Sequence, residues 1–143
     1  MLVLRNQSSE QVRLLQDISA CLSGLVSDHE LVVVDNASTD DSVTTLKTLT
    51  GQQGLPNLQV YALTKEVDTD TAAWVGLENA LGDYVAVLAP LADDIRFLPQ
   101  MLDRAVSGAE VVFASNPGST AMCPKSPPPS VKSTVQPAKF KIL

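Results

Sequence analysis

The chain is short of the residues that many site chemistries need. It carries two cysteines in 143 residues, Cys21 and Cys123. So distant a pair makes neither a disulfide framework nor a metal cluster, and reduced thiols in a cytoplasmic protein are the simple reading. The single histidine, His29, has no neighbour that marks it as catalytic and reads as a surface residue in a turn. Positive charge is scarce in the body of the chain. Residues 1–116 hold six Lys/Arg against all sixteen Asp/Glu, a balance of −10, whereas 117–143 hold four Lys and no acid. An acidic body argues against sequence-independent binding of nucleic acid, whose phosphates need Lys and Arg. A phosphate ligand stays open, because helix N-termini and a metal ion can supply the positive charge. No apolar run approaches the ~20 residues of a membrane span, and the opening MLVLRNQ is interrupted too soon for a signal peptide. Neither GxGxxG nor GxxxxGK[ST] occurs, which leaves dinucleotide-binding and P-loop readings without support.

What is present centres on Glu30 to Asp41, ELVVVDNASTDD. Leu31, Val32, Val33 and Val34 form an unbroken apolar run closed at once by Asp35 and Asn36, the pattern of a strand buried on both faces in a parallel sheet. Ser38 and Thr39 are placed to cap a following helix, with Asp40 and Asp41 in its first turn, where the helix dipole favours negative charge. Asp35 thus stands at the carboxyl end of a central strand, beside a strand-to-helix loop, where open α/β sheets bind their ligands.

Taken in order, Leu2 to Leu4 reads as a short first strand. Asn6, Ser8 or Ser9 would cap a helix whose apolar side is Val12, Leu15, Ile18, Cys21 or Leu22, and Leu25. A second helix would run from about Asp40 to Leu49. LQVYAL at 58–63 reads as a third strand, and a further helix would carry Ala72, Val75, Leu77 and Ala80–Leu81 on its apolar side. YVAVL at 84–88 is another buried-looking strand, followed by a helix from Leu98 or Pro99 to Val106 and a last strand, EVVFA, at 110–114. The alternation predicts an α/β, three-layer α/β/α (Rossmann-like) domain with a mainly parallel sheet. Six of the nine prolines fall in 117–143, which reads as a disordered tail and sets the domain boundary at 116 or 117.

Three segments carry a family likeness. ELVVVDNASTDDS, TAAWVGLENALGDYVAVL and LPQMLDRAVSGAEVVFASN resemble, in turn, the second strand and its loop, the following helix and strand, and the next helix and strand of the family 2 glycosyltransferases. The third is most similar to the polyprenyl-phosphate and dolichyl-phosphate sugar transferases. The resemblance implies a GT-A nucleotide-sugar-binding fold over most of residues 1–116. It implies a UDP-type donor, Asp35 and Asn36 at the nucleotide, and Ser38, Thr39 and Asp40 ordering the same loop. It also implies a divalent metal, Mg or Mn, on an Asp-x-Asp motif after the YVAVL strand.

This chain departs from that pattern in three places. Ala89, Pro90 and Leu91 stand where the Asp-x-Asp motif would be, and Ala and Leu offer no side-chain oxygen to a hard cation. Asp93 and Asp94 are the substitutes in reach, needing a shift of the loop; otherwise they cap or begin the next helix. Trp74 and Val75 replace polar residues of the family helix, and Trp74 reads as core rather than as a base-stacking side chain. The acceptor half that family members add after this point is not matched.

Two readings follow. One is a sugar transferase using a nucleotide-sugar donor; it needs a metal or cation at the leaving diphosphate and a base near the acceptor. The alternative is a non-catalytic nucleotide-binding or protein-interaction domain of the same ancestry, and the departures favour it for activity in this short form. A domain lacking half its usual cover would expose apolar surface suited to a homodimer or a protein partner. A receiver-like phosphoacceptor domain would need acids after the first strand, where Arg5 and Asn6 stand.

Overall fold

A computed structural model describes residues 1–51, 54–89, 95–113 and 140–142. Among the described residues five strands and four helices alternate: β1 (Leu2–Leu4), α1 (Gln11–Leu25), β2 (Leu31–Asp35), α2 (Ser42–Leu49), β3 (Leu58–Ala62), α3 (Thr69–Asn79), β4 (Tyr84–Ala86), α4 (Leu98–Val106) and β5 (Phe140–Ile142). A 3₁₀ turn at Ile95–Phe97 leads into α4.

The sheet is parallel throughout. β2 lies between β1 and β3, with Leu2 opposite Val33 and Val33 opposite Val60. β4 pairs with β5, and a single bridge between Leu2 and Leu88 joins that pair to β1. Around the bridge, the Leu88 N–H donates to Met1 O (3.0 Å) and the Met1 amine donates to Ala86 O (2.7 Å). The strand order is therefore β3-β2-β1-β4-β5, and the direction of winding reverses between β1 and β4.

Burial explains the central strand. All five residues of β2 are buried, as an unbroken apolar run in a doubly covered sheet requires. Leu2, Leu4, Leu31 and Val33 pack with Leu15 and Ile18 of α1, Leu46 of α2 and Leu98 of α4. Met1 and Val32 pack with Ala73 of α3, with Val3 and Tyr61 against them. The result is three layers, with α3 on the opposite face of the sheet from the other helices. α3 comes close because its inner side is small: Ala72, Ala73 and Gly76 are buried. A Cβ at Gly76 would lie 2.7 Å from Met1 Cγ and 3.1 Å from Val34 Cγ2. Glycine here serves close helix-to-sheet approach.

Several local expectations are corrected. α1 begins after Glu10 with no side-chain cap, so none of Asn6, Ser8 and Ser9 caps it. α2 begins at Ser42, and Asp40 and Asp41 precede it rather than filling its first turn. α3 starts at Thr69, because the Asp68 carboxylate accepts from the Thr71 N–H at 2.9 Å. β4 stops at Ala86, with Leu88 contributing one bridge. Residues 110–113 form no strand. β propensity favours a half-buried pleated surface, and Val111 (48% exposed) and Phe113 (70%) have little cover. The partner of β4 is instead β5, within the stretch read as a tail; residues 114–139 and 143 lie outside the described residues. His29 is half-buried rather than a surface residue. Trp74, expected in the core, is 55% exposed, and its indole N–H donates to Glu78 Oε1 at 3.0 Å.

Candidate nucleotide site

The loops that follow β1 and β2 are tied to each other at the carboxyl end of the sheet. The Asn36 N–H donates to Leu4 O at 2.9 Å. Ala37 then turns with φ +55°, which brings the Ser38 N–H to Asp35 Oδ2 (3.0 Å) and its hydroxyl to Asp35 Oδ1 (2.5 Å). Ser38 Oγ in turn accepts from the Asn6 N–H (2.9 Å), and Asn6 Oδ1 accepts from the Thr39 N–H (2.9 Å). Asn6 is itself left-handed, φ +52°, a region that Asn tolerates.

Asp40 continues the same lacing. Its carboxylate accepts from the Ser42 N–H (3.0 Å) and from the Ser8 N–H (3.2 Å). Hydrogen bonding to Ser42, then to the Ser8 backbone, holds the Asp40 carboxyl down at about 2. Ser42 Oγ accepts from the Gln7 N–H, and Ser42 O accepts from the buried Gln11 side chain. Ser38 and Asp40 thus satisfy the backbone of the β1 loop, more than 30 residues away, and Asp40 also satisfies the first N–H of α2.

Asn36 faces the other layer. Its side-chain amide donates to Val67 O (2.7 Å) and its Oδ1 accepts from the Val67 N–H (3.0 Å). That two-way bond fixes the segment leading into α3. At the next turn both Asp68 oxygens are taken by Thr71, and its pKa is lowered, first by the Thr71 hydroxyl and then by the Thr71 N–H.

Between these two fixed segments lies a cleft of about 570 Å³, at the switch point between β1 and β4. Leu4 and Asn36 line it from the strand ends, Arg5 and Gln7 from the β1 loop, and Glu66 to Thr69 from the approach to α3, with Ala89 beyond β4. Arg5 and Glu66 form an ion pair across it, 2.6 Å apart and about half exposed; such exposed pairs are worth ~0–1 kcal/mol.

The structure separates the expected nucleotide contacts. Asn36 lines the cleft. Asp35 is fully buried, with both oxygens engaged by Ser38. Ser38 and Asp40 hold the β1 loop. Asp93 and Asp94, the expected metal ligands, lie outside the described residues, as do Pro90 and Leu91. Among the described residues no three His, Cys, Asp or Glu side chains are grouped to hold a metal ion, and Ala89 brings no side-chain oxygen to the cleft. Within the described cleft the carboxylates are Glu66, paired with Arg5, and Asp68, bonded to Thr71. Arg5, Glu66 and Asp68 were not singled out from the sequence; only Asp68 carried a legible signal, an Asp three residues ahead of a Thr at a helix start.

A parallel α/β domain with its cleft at the switch point belongs to the class that binds nucleotides and related ligands at the carboxyl ends of the strands. The comparisons make this specific. The model of the family described as "Glycosyl transferase family 2" matches residues 10–136, and the chain belongs to that family. A relative from Pseudomonas fluorescens (strain SBW25), "Undecaprenyl-phosphate 4-deoxy-4-formamido-L-arabinose transferase", is 27% identical over 108 residues, which is 75% of this chain. The match covers 31% of that relative's length. No helix among the described residues is long and apolar enough to cross a membrane.

Proposed function

We propose that this chain is the donor-binding portion of a glycosyltransferase that moves a sugar from a nucleotide-sugar, UDP-type, to a lipid-phosphate acceptor. The observation that carries the reading is the cleft between β1 and β4, whose two walls are fixed by Asn36 on Val67 and by Ser38 and Asp40 on the β1 loop. Family membership supports the donor class. The acceptor class is drawn from the name of the relative, and the remaining two-thirds of such a protein would supply the acceptor contacts. Asp35 serves this site by holding Ser38 in place, and Asn36 by shaping the wall against which the nucleotide lies.

The half-buried free thiol of Cys21 and the acidic body suit a cytoplasmic setting. Exposed Leu81, Tyr84, Val106, Val111 and Phe113 support association with a second copy or a protein partner. The test of the donor reading is a thermal-shift series with UDP, GDP, CDP and TDP, each with and without manganese. A ligand at 100 times its dissociation constant stabilises by about 2.7 kcal/mol, so one nucleotide should raise the melting temperature clearly. Absence of any shift at millimolar concentration with all four would contradict it.

A further inference from the structure

We propose that Arg5 is the counter-charge for the donor diphosphate, with Glu66 as the placeholder that occupies Arg5 while the cleft is empty. The proposal rests on the nucleotide reading above and adds to it the group that meets the phosphates and independence from a divalent metal.

A nucleoside diphosphate brings several negative charges into a chain that is already acidic, so its site needs positive charge, which a cationic side chain supplies most directly. No side-chain oxygen stands at the β4 side of the described cleft, where Ala89 lies, and its two carboxylates are engaged, Glu66 by Arg5 and Asp68 by Thr71. Of the six Lys and Arg in residues 1–116, Arg5 lines the cleft. Arg13 faces Asp17 on the outer side of α1, and Arg104 lies by Val111 and Phe113.

The backbone on both sides of the Arg5–Glu66 pair is held, while the two head groups are not. Arg5 follows β1 directly and precedes Asn6, whose backbone and side chain are bonded to Ser38 and Thr39. Glu66 precedes Val67, which Asn36 grips in both directions. The paired side chains themselves are 44% and 53% exposed. Exchange of partners therefore needs only side-chain rotation. A guanidinium presents a planar fork of N–H donors that matches a phosphate's oxygens in a two-bond arrangement. A diphosphate carries more charge than one carboxylate and displaces Glu66. Meanwhile Glu66 keeps Arg5 extended over the cleft when no ligand is present.

The pair makes a signed prediction, because both substitutions break the same ion pair. Arg5→Ala removes the cation and should weaken binding of the stabilising nucleoside diphosphate about tenfold or more, the scale of a lost charge-assisted hydrogen bond. Glu66→Gln removes only the competitor and should tighten it. Arg5→Lys keeps the charge without the fork and should fall between Arg5→Ala and the parent chain. Isothermal titration with UDP, GDP, CDP and TDP in EDTA, and again with excess manganese, reads all of this. The melting temperature of each variant shows that it is folded. Binding in EDTA with opposite effects of Arg5→Ala and Glu66→Gln is the expected result. Binding that requires manganese and is unchanged in Arg5→Ala would overturn the role of Arg5 while leaving the nucleotide site standing. Equal weakening in Arg5→Ala and Glu66→Gln would make the pair a structural clasp and overturn the proposal. Failure of all four nucleotides with and without metal would overturn the nucleotide reading and this proposal together.

Discussion

The β1–β2 side of the sheet and the β4 side are held by different means. Between β1 and β2, strand pairing is continued beyond the strand ends by a lace of side-chain bonds, in which Asn6, Ser38, Asp40 and Ser42 each satisfy backbone groups of the opposite loop. β4 has three residues and meets β1 through one bridge and the Met1 backbone. Large apolar side chains in β4, at the end of α4 and in the segment after it are exposed: Tyr84, Val106 and Phe113. The opposite end of the strands on this side opens into a cavity of about 420 Å³ edged by Leu22, Leu25, His29, Ala80 and Tyr84. Order in this domain is thus concentrated where the proposed ligand sits, and apolar surface is left where a covering element would pack.

The largest contrast should come from truncating an apolar side chain on each side. Leu4→Ala, at a fully enclosed position, should cost about 2–5 kcal/mol, whereas Phe113→Ala, at 70% exposure, should stay within about 0.5 kcal/mol. Urea unfolding curves of the two variants check it; similar losses would mean that Phe113 is buried in solution, as in a dimer. Next is Gly76→Ala. Its new methyl meets Met1 Cγ and Val34 Cγ2, and forcing extra volume into a packed contact costs about 1–3 kcal/mol. A smaller effect of opposite sign is expected at Ala37. An L-residue at φ +55° pays about 1–2 kcal/mol that glycine avoids, offset by glycine's greater freedom when unfolded, so Ala37→Gly should stabilise by up to ~1 kcal/mol.

The smallest effect is that of acid on the lace. Asp40 has a folded pKa near 2 against an ordinary 3.8, so the unfolded chain binds the proton more readily. The contribution of Asp40 is complete above pH 3.8 and is lost as pH falls towards 2. Amide protection at Ser8 and Ser42, relative to the intrinsic exchange rate at each pH, should fall over that window, and Asp40→Asn should remove the dependence at these two positions.

Much of this was legible in the sequence, for reasons that also mark the limit. The run Leu31–Val34 announces a doubly buried strand because only an all-parallel, two-sided cover leaves no position for a polar residue. The alternation of strands and helices follows, and so does the placing of Asp35 and Asn36 at the carboxyl end of that strand. The partners of Ser38, Thr39 and Asp40 were not legible. Local spacing offers a helix start, which Asp40 does serve at the Ser42 N–H, but the further groups satisfied are those of Asn6 and Ser8, which only the parallel pairing of β1 with β2 brings near. The Arg5–Glu66 pair was hidden for the same reason, since only the fold brings Glu66 across the cleft to Arg5. EVVFA misled because its composition suits a strand, and composition does not tell whether a neighbouring strand is free to pair with it.

The central claim is that the cleft by Arg5, Asn36 and Glu66 receives the donor, and not the apolar cavity at the other end of the strands. The most direct measurement is a ¹H–¹⁵N correlation titration of the ¹⁵N-labelled chain with UDP. Shifts should gather at Arg5, Gln7, the Asn36 side-chain amide and residues 66–69, with little change at His29, Glu30 and residues 81–83. Shifts confined to His29, Glu30 and residues 81–83, with Asn36 and Val67 unmoved, would contradict it.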